Sequence, residues 1–199
     1  MKKYIFELSL LIGLCVSLLV AAEAKEEQIG ISQKLIRLHI IANSDSDADQ
    51  RLKYAVRDEV LKYMDALTEG CETPAKAEEI LKSHLGDFMD IADEVCKKAN
   101  APYSSSAEIS NSDFPTKYYD GFALPAGSYR ALKIKLGDAK GQNWWCVLFP
   151  PLCVSAAEVE ETLNESGLSE SELALMTSEK TEYKIKFKLL ELFERIKPR

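Results

Sequence analysis

Apolar positions along the chain change their period several times, and each change marks an element. Lys34 to Ile41 (KLIRLHII) alternates: Ile36, Leu38 and Ile40 share one face, while Arg37 and His39 share the other with Leu35 and Ile41, the pattern of a strand. Asn43-Ser44-Asp45-Ser46 breaks it. Ser46 followed by Asp49 resembles a capping box with a shortened acidic partner, and Leu52, Val56, Val60, Met64 and Leu67 then recur at helical spacing. Glu69-Gly70-Cys71 ends that helix. Thr73 as N-cap with Pro74 at the first helical position opens a second, whose stripe through Leu81, His84, Phe88, Ala92 and Cys96 predicts one helix up to Asn100. His84 lies on that stripe and is expected to be a packed or partly buried histidine.

Beyond Pro102 the period moves towards two. Ser104–Ser112 is a weak strand with Ala107 and Ile109 on one face; Ser128–Leu136 is a stronger one, with Leu132, Ile134 and Leu136 inward and Lys133 and Lys135 outward. Gly137 to Gln142 reads as a loop, its glycines as turn residues. Asn143–Phe149 (NWWCVLF) is apolar on both faces, which predicts a central, covered strand ended by Pro150-Pro151. Ser155 with Glu158 is a second capping-box candidate, and Thr181–Ile196 has the pattern of a final helix. The order βααβββα predicts an α+β fold: one domain over residues 25–199, with an antiparallel sheet of about four strands packed with helices.

The N-terminus has a different character. Met1-Lys2-Lys3 is positive, Leu8 to Ala22 runs 15 residues without a charge, and Ala22-Glu23-Ala24 offers the small-x-small pattern of a signal-peptidase site. Residues 1–24 are therefore expected to be a signal peptide or, since a bilayer crossing takes about 20 apolar residues, a retained N-terminal anchor. Either reading sends the remaining chain across a membrane. Cys15 is preceded by Leu14, which does not suit a lipoprotein site.

Without residues 1–24 the chain keeps 175 residues and its net charge of −7, an acidic balance that argues against a nucleic-acid partner. Only two histidines, His39 and His84, are present, with no HExxH or CxxC spacing, so no metal site is expected. Asp45, Asp47 and Asp49 alternate like a calcium loop, but Gln50 and Val56 stand where that loop needs Gly and Glu; the aspartates suit a helix start instead. No phosphate loop, nucleophile elbow, cofactor motif or small-molecule ligand is read from the chain. The nucleophile candidate is Cys146, with His39 as base and Asn43 as orienting group, although a thiol inside an apolar strand is normally inert. Four cysteines remain after the N-terminal segment, an even number that suits disulfides in an exported protein. Proximity suggests Cys146 with Cys153 and Cys71 with Cys96; four buried thiols are the alternative.

Two blocks resemble the stage II sporulation protein R family. One runs from Leu35 to Arg57 through Ile36-Arg37-Leu38-His39-Ile40-Ile41-Ala42-Asn43-Ser44-Asp45-Ser46; the other from Leu124-Pro125-Ala126-Gly127 to Asn143-Trp144-Trp145-Cys146 and Pro150-Pro151-Leu152-Cys153. Glu182 to Lys188 also looks familial, whereas Ala156–Lys180 matches no recognisable block. The resemblance implies an exported, non-enzymatic signal. It would be made in the forespore and released into the space between forespore and mother cell. There it would activate a membrane-embedded aspartic protease of the mother cell, which processes the sigma-E precursor. An exported thiol hydrolase and an extracytoplasmic binding module are the alternative readings. The partner surface expected from the chain comprises Arg37, His39, Asn43, Asp45, Asn143 and Trp144, on the outer strand face and the loop beside it.

Overall fold

Ile36–Ile41 forms β1, and both of its edges are paired. A computed structural model describes residues 2–68, 70–119, 121–153, 159, 162–163, 165–177 and 186–192. Chain contacts divide it into two compact units, one of residues 32–112 with 128–167, the other of residues 1–31, 113–127 and 168–199.

In the first unit, helix α2 (Asp47–Leu67) starts at Ser46, whose hydroxyl accepts from the Asp49 amide. Helix α3 (Pro74–Ser83) starts at Thr73, whose hydroxyl accepts from Lys76. The expected single second helix is broken at His84, and α4 (Leu85–Lys98) continues beyond it. His84 therefore stands at a junction, partly exposed, with Nδ1 2.6 Å from Asp87 Oδ2 and 2.9 Å from the Tyr63 hydroxyl.

Four strands follow the order β2–β5–β1–β6, with β2 at Ser105–Phe114, β5 at Gly127–Leu136 and β6 at Asn143–Phe149. β6 runs antiparallel to β1, but β5 runs parallel to it, so the sheet is mixed rather than wholly antiparallel. The long path from β1 through three helices and β2 is what allows a parallel partner; a short hairpin could not supply one. β6 was expected at the centre because it is apolar on both faces. Among the described strands it lies at an edge, and β1 and β5 hold the interior places. Cys146, Val147 and Leu148 are nonetheless all buried, so the second half of β6 is covered on both faces.

Strand alternation then sorts the side chains. Ile36, Leu38 and Ile40 of β1, with Leu132, Ile134 and Leu136 of β5, join Val56, Val60 and Met64 of α2 and Phe88 and Ala92 of α4 in one core. Ala107 and Ile109 of β2 pack against it, as their alternation predicts. Cys96 is buried in this core and Cys71 borders it, and both are free thiols, so the expected Cys71–Cys96 bridge does not form. Cys146 and Cys153 are joined as a disulfide.

In the second unit, helix α1 (Lys2–Lys34) is continuous. Its residues 4–19 are exposed throughout, and the stretch is long and apolar enough to cross a membrane. The strands β3 (Lys117–Tyr118) and β4 (Ala123–Leu124) pair antiparallel, and Glu170–Thr177 is helical. Residues 186–192 are helical, within the predicted final helix; the rest of Thr181–Ile196 and the Ser155–Glu158 cap lie outside the described residues.

Candidate functional site

β1 carries a polar face opposite its core face. The register places His39 directly between Lys133 of β5 and Trp145 of β6, and one pleat further Ile41 lies between Lys135 and Asn143. His39 Nε2 donates to the Asn143 side-chain oxygen across 2.7 Å, and the imidazole leans on the Trp145 indole with ring centres 5.8 Å apart. Glu108 of β2 completes the row, 3.0 Å from the Lys135 amine and 3.8 Å from that of Lys133. Burial holds the His39 imidazole below its ordinary value of 6.5; the Asn143 bond opposes this, and the charges of Lys133, Arg37 and Lys135 reinforce it. At neutral pH the face thus holds a neutral, largely buried imidazole behind an exposed Asn143 amide, with two half-buried lysines and a half-buried indole around it. These are hydrogen-bonding and cationic groups, and they suit recognition of a polar or acidic surface.

The expected partner residues separate into distinct roles. Arg37 is wholly buried: its guanidinium lies over the Tyr129 ring at 5.0 Å and donates towards the Cys146 carbonyl, so it is not part of an outer surface. Adjacent residues on a strand point to opposite faces, and Trp144 therefore leaves Asn143 and joins the α2 side, with the Arg57 guanidinium 5.3 Å over its ring. The same Arg57 lies 5.1 Å from the Tyr54 ring. Trp145 takes the place beside His39. Its signal was the period-two register once His39 is set opposite it. Lys133 was read as outward but was not counted in the site.

Asn43 and Asp45 join two loops. Asn43 Oδ1 accepts from the Asp138 amide at 2.9 Å, and Asp45 Oδ1 accepts from the Gln142 amide at 2.7 Å. Asp49 is the centre of this network rather than the returning arm of a capping box. Its carboxylate accepts from Ser44 (2.5 Å), Asn43 (2.9 Å) and the Tyr103 phenol (2.6 Å). Those bonds, the Ser44 one first, hold Asp49 at about 2. Lys53, buried on α2, donates to the Gln142 carbonyl and ties the same loop to the helix. Gly141 is needed here because a Cβ would strike the Ser44 carbonyl, and Gly137, at φ +55°, would strike Asn43.

The thiol-hydrolase arrangement is not assembled. Cys146 is bonded to Cys153 and lies opposite Leu38 on the core face, whereas His39 occupies the other face and binds Asn143, not Asn43. A disulfide sulfur has no thiolate with which to attack.

The chain thus combines a mixed α+β unit, one sheet face of which is polar around His39, with an N-terminal helix long and apolar enough to cross a membrane, and its Cys146 is held in a disulfide. The chain belongs to the stage II sporulation protein R family, whose pattern matches residues 32–159. Stage II sporulation protein R of Bacillus subtilis (strain 168) is 41% identical over 133 residues, which cover 67% of this chain and 59% of that protein. The match thus spans less than two thirds of the relative's length. No solved structure matches the chain.

Proposed function

We propose that this protein is an exported signal of sporulation that passes from the forespore into the intermembrane space. There it activates a membrane-embedded aspartic protease of the mother cell, which then processes the sigma-E precursor. The observation that carries this reading is the family match over residues 32–159, which contains every element of the polar face. The apolar helix α1 supports the route across a membrane. The row Lys133–His39–Trp145, with Asn143 beside it, supplies a surface of suitable chemistry for a protein partner. Activation then requires no covalent step on this chain: binding shifts the protease towards its competent state in proportion to its preference for that state.

The test is co-expression of this chain, the protease and a sigma-E precursor in a non-sporulating host. Precursor cleavage that depends on this chain supports the reading. Cleavage that is equal with and without it overturns the reading.

A further inference from the structure

The signal-peptidase-like sequence Ala22-Glu23-Ala24 lies inside α1, not at its end. Below it the helix changes character. Residues 4–19 are exposed on every side, whereas Ala21, Ala24, Gln28 and Ile31 are buried, at spacings of one helix face. That face is held by polar as well as apolar contacts. The Lys186 amine, 4% exposed, lies 3.1 Å from the Glu27 carboxylate and 3.6 Å from that of Glu23. Gln28 lies against Gly127, and Glu172 against Gly30, so closely that a Cβ at either glycine would have to displace the end of that side chain.

We propose that α1 is retained as a membrane anchor instead of being removed, so that the folded chain stays attached to the bilayer it crosses and signals from that surface. The proposal rests on the exported reading above. A protease takes its site as extended chain, so cleavage after Ala24 competes with the folding of Ala22–Ala24 into α1, and the contacts on the packed face favour the helix. Cleavage after Ala24 would remove Ala21 and Ala24 from the packed face and Glu23 from Lys186. It would leave residues 25–34 as a shortened helix that depends on Glu27, Gln28 and Ile31 for its packing, since isolated helices below about 12 residues are marginal. The exposed apolar half has the opposite requirement: water is a poor solvent for a helix that is apolar all round, and lipid a good one.

The test expresses the full chain, tagged at its C-terminus, in a bacterium with active signal peptidase, beside the variant Ala22→Arg. Ala22 is exposed on α1, and an arginine there spoils the small-residue requirement without touching the packed face. Peptide mapping should find residues before Ala24 in both proteins, with intact masses that differ by the Ala22→Arg substitution alone, in the membrane fraction after an alkaline wash. A wild-type chain beginning at Lys25, beside a longer Ala22→Arg chain, would overturn the anchor. External protease applied to spheroplasts tests export separately. Loss of the tag supports export, whereas a protected tag overturns the exported reading whatever the N-terminus shows.

Discussion

The phenol of Tyr103, just ahead of β2, donates to the carboxylate of Asp49, in the first turn of α2, across 2.6 Å and 54 residues of chain. Asp49 also receives Ser44 and Asn43, so one carboxylate ties the helix start, the loop after β1 and the approach to β2. Removing one partner of such a network leaves the others incompletely satisfied.

Tyr103→Phe should lower stability by about 1 kcal/mol, the usual net worth of one hydrogen bond. Asp49→Asn should also change the acid response. The folded carboxyl titrates at about 2 against an ordinary 3.8, so the unfolded chain takes up the extra proton first. The stabilisation is complete above about pH 4 and is lost as pH falls towards 2. Urea denaturation at a series of pH values should show that acid limb in the wild type and a flatter one in Asp49→Asn. Equal limbs would contradict it.

His39 shifts in the opposite chemical sense. Burial lowers its folded value below 6.5, so acidification protonates the unfolded chain first, and stability falls as pH drops below about 6.5. His39→Gln, which keeps a donor for Asn143, should reduce this loss between about pH 7 and 5. Thermal melts across that interval are the check; a variant as pH-sensitive as the wild type would return the effect to other groups.

In the co-expression assay, His39→Ala and Asn143→Ala should each lower precursor cleavage about tenfold while circular dichroism stays native, which corresponds to the loss of about 1.4 kcal/mol at an interface. Asn43→Ala should behave differently, since its amide closes the loop network. The expected loss is about 1–3 kcal/mol of stability, with activity falling in step with folding. Full signalling by the His39→Ala, Asn143→Ala double variant would remove the polar face from the proposed function.

Non-reduced peptide mapping should recover Cys146 linked to Cys153, with Cys71 alkylated in the native state and Cys96 only after unfolding. Burial raises the Cys96 thiol above its usual value, which further slows its reaction. Replacing Cys146 and Cys153 together by serine should cost about 2–3 kcal/mol for a loop this short. Gly141→Ala should cost about 1–3 kcal/mol by forcing the added methyl into the Ser44 carbonyl.

Local alternation was enough to place Ile36, Leu38 and Ile40 on one face of β1, and Leu132, Ile134 and Leu136 on the inner face of β5. The caps at Ser46 and Thr73 were readable because a short oxygen side chain followed by a helical stripe has few other uses. The Cys146–Cys153 bridge was within reach because a few residues separate its ends. The charge-free run Leu8–Ala22 marked a segment suited to a signal peptide or an anchor for the same reason: each of these properties belongs to a short stretch of chain.

What the sequence by itself could not determine was decided by partners far away in it. Whether β6 is central or marginal depends on which strands lie beside it, and β1 and β5 took the interior places instead. Trp144 and Trp145 are chemically equal in the sequence; only the register of β6 on β1 sends one towards Arg57 and the other to His39. Arg37 shares the alternation of His39 but meets Tyr129 and the Cys146 carbonyl where His39 meets the exposed Asn143, a difference that strand period cannot express. Asp49 looked like a cap residue until Tyr103 was brought to it. The lower half of α1 reads as a processing site in sequence and as a packed helix in the fold, because Lys186 and Gly127 are placed against it by tertiary structure alone.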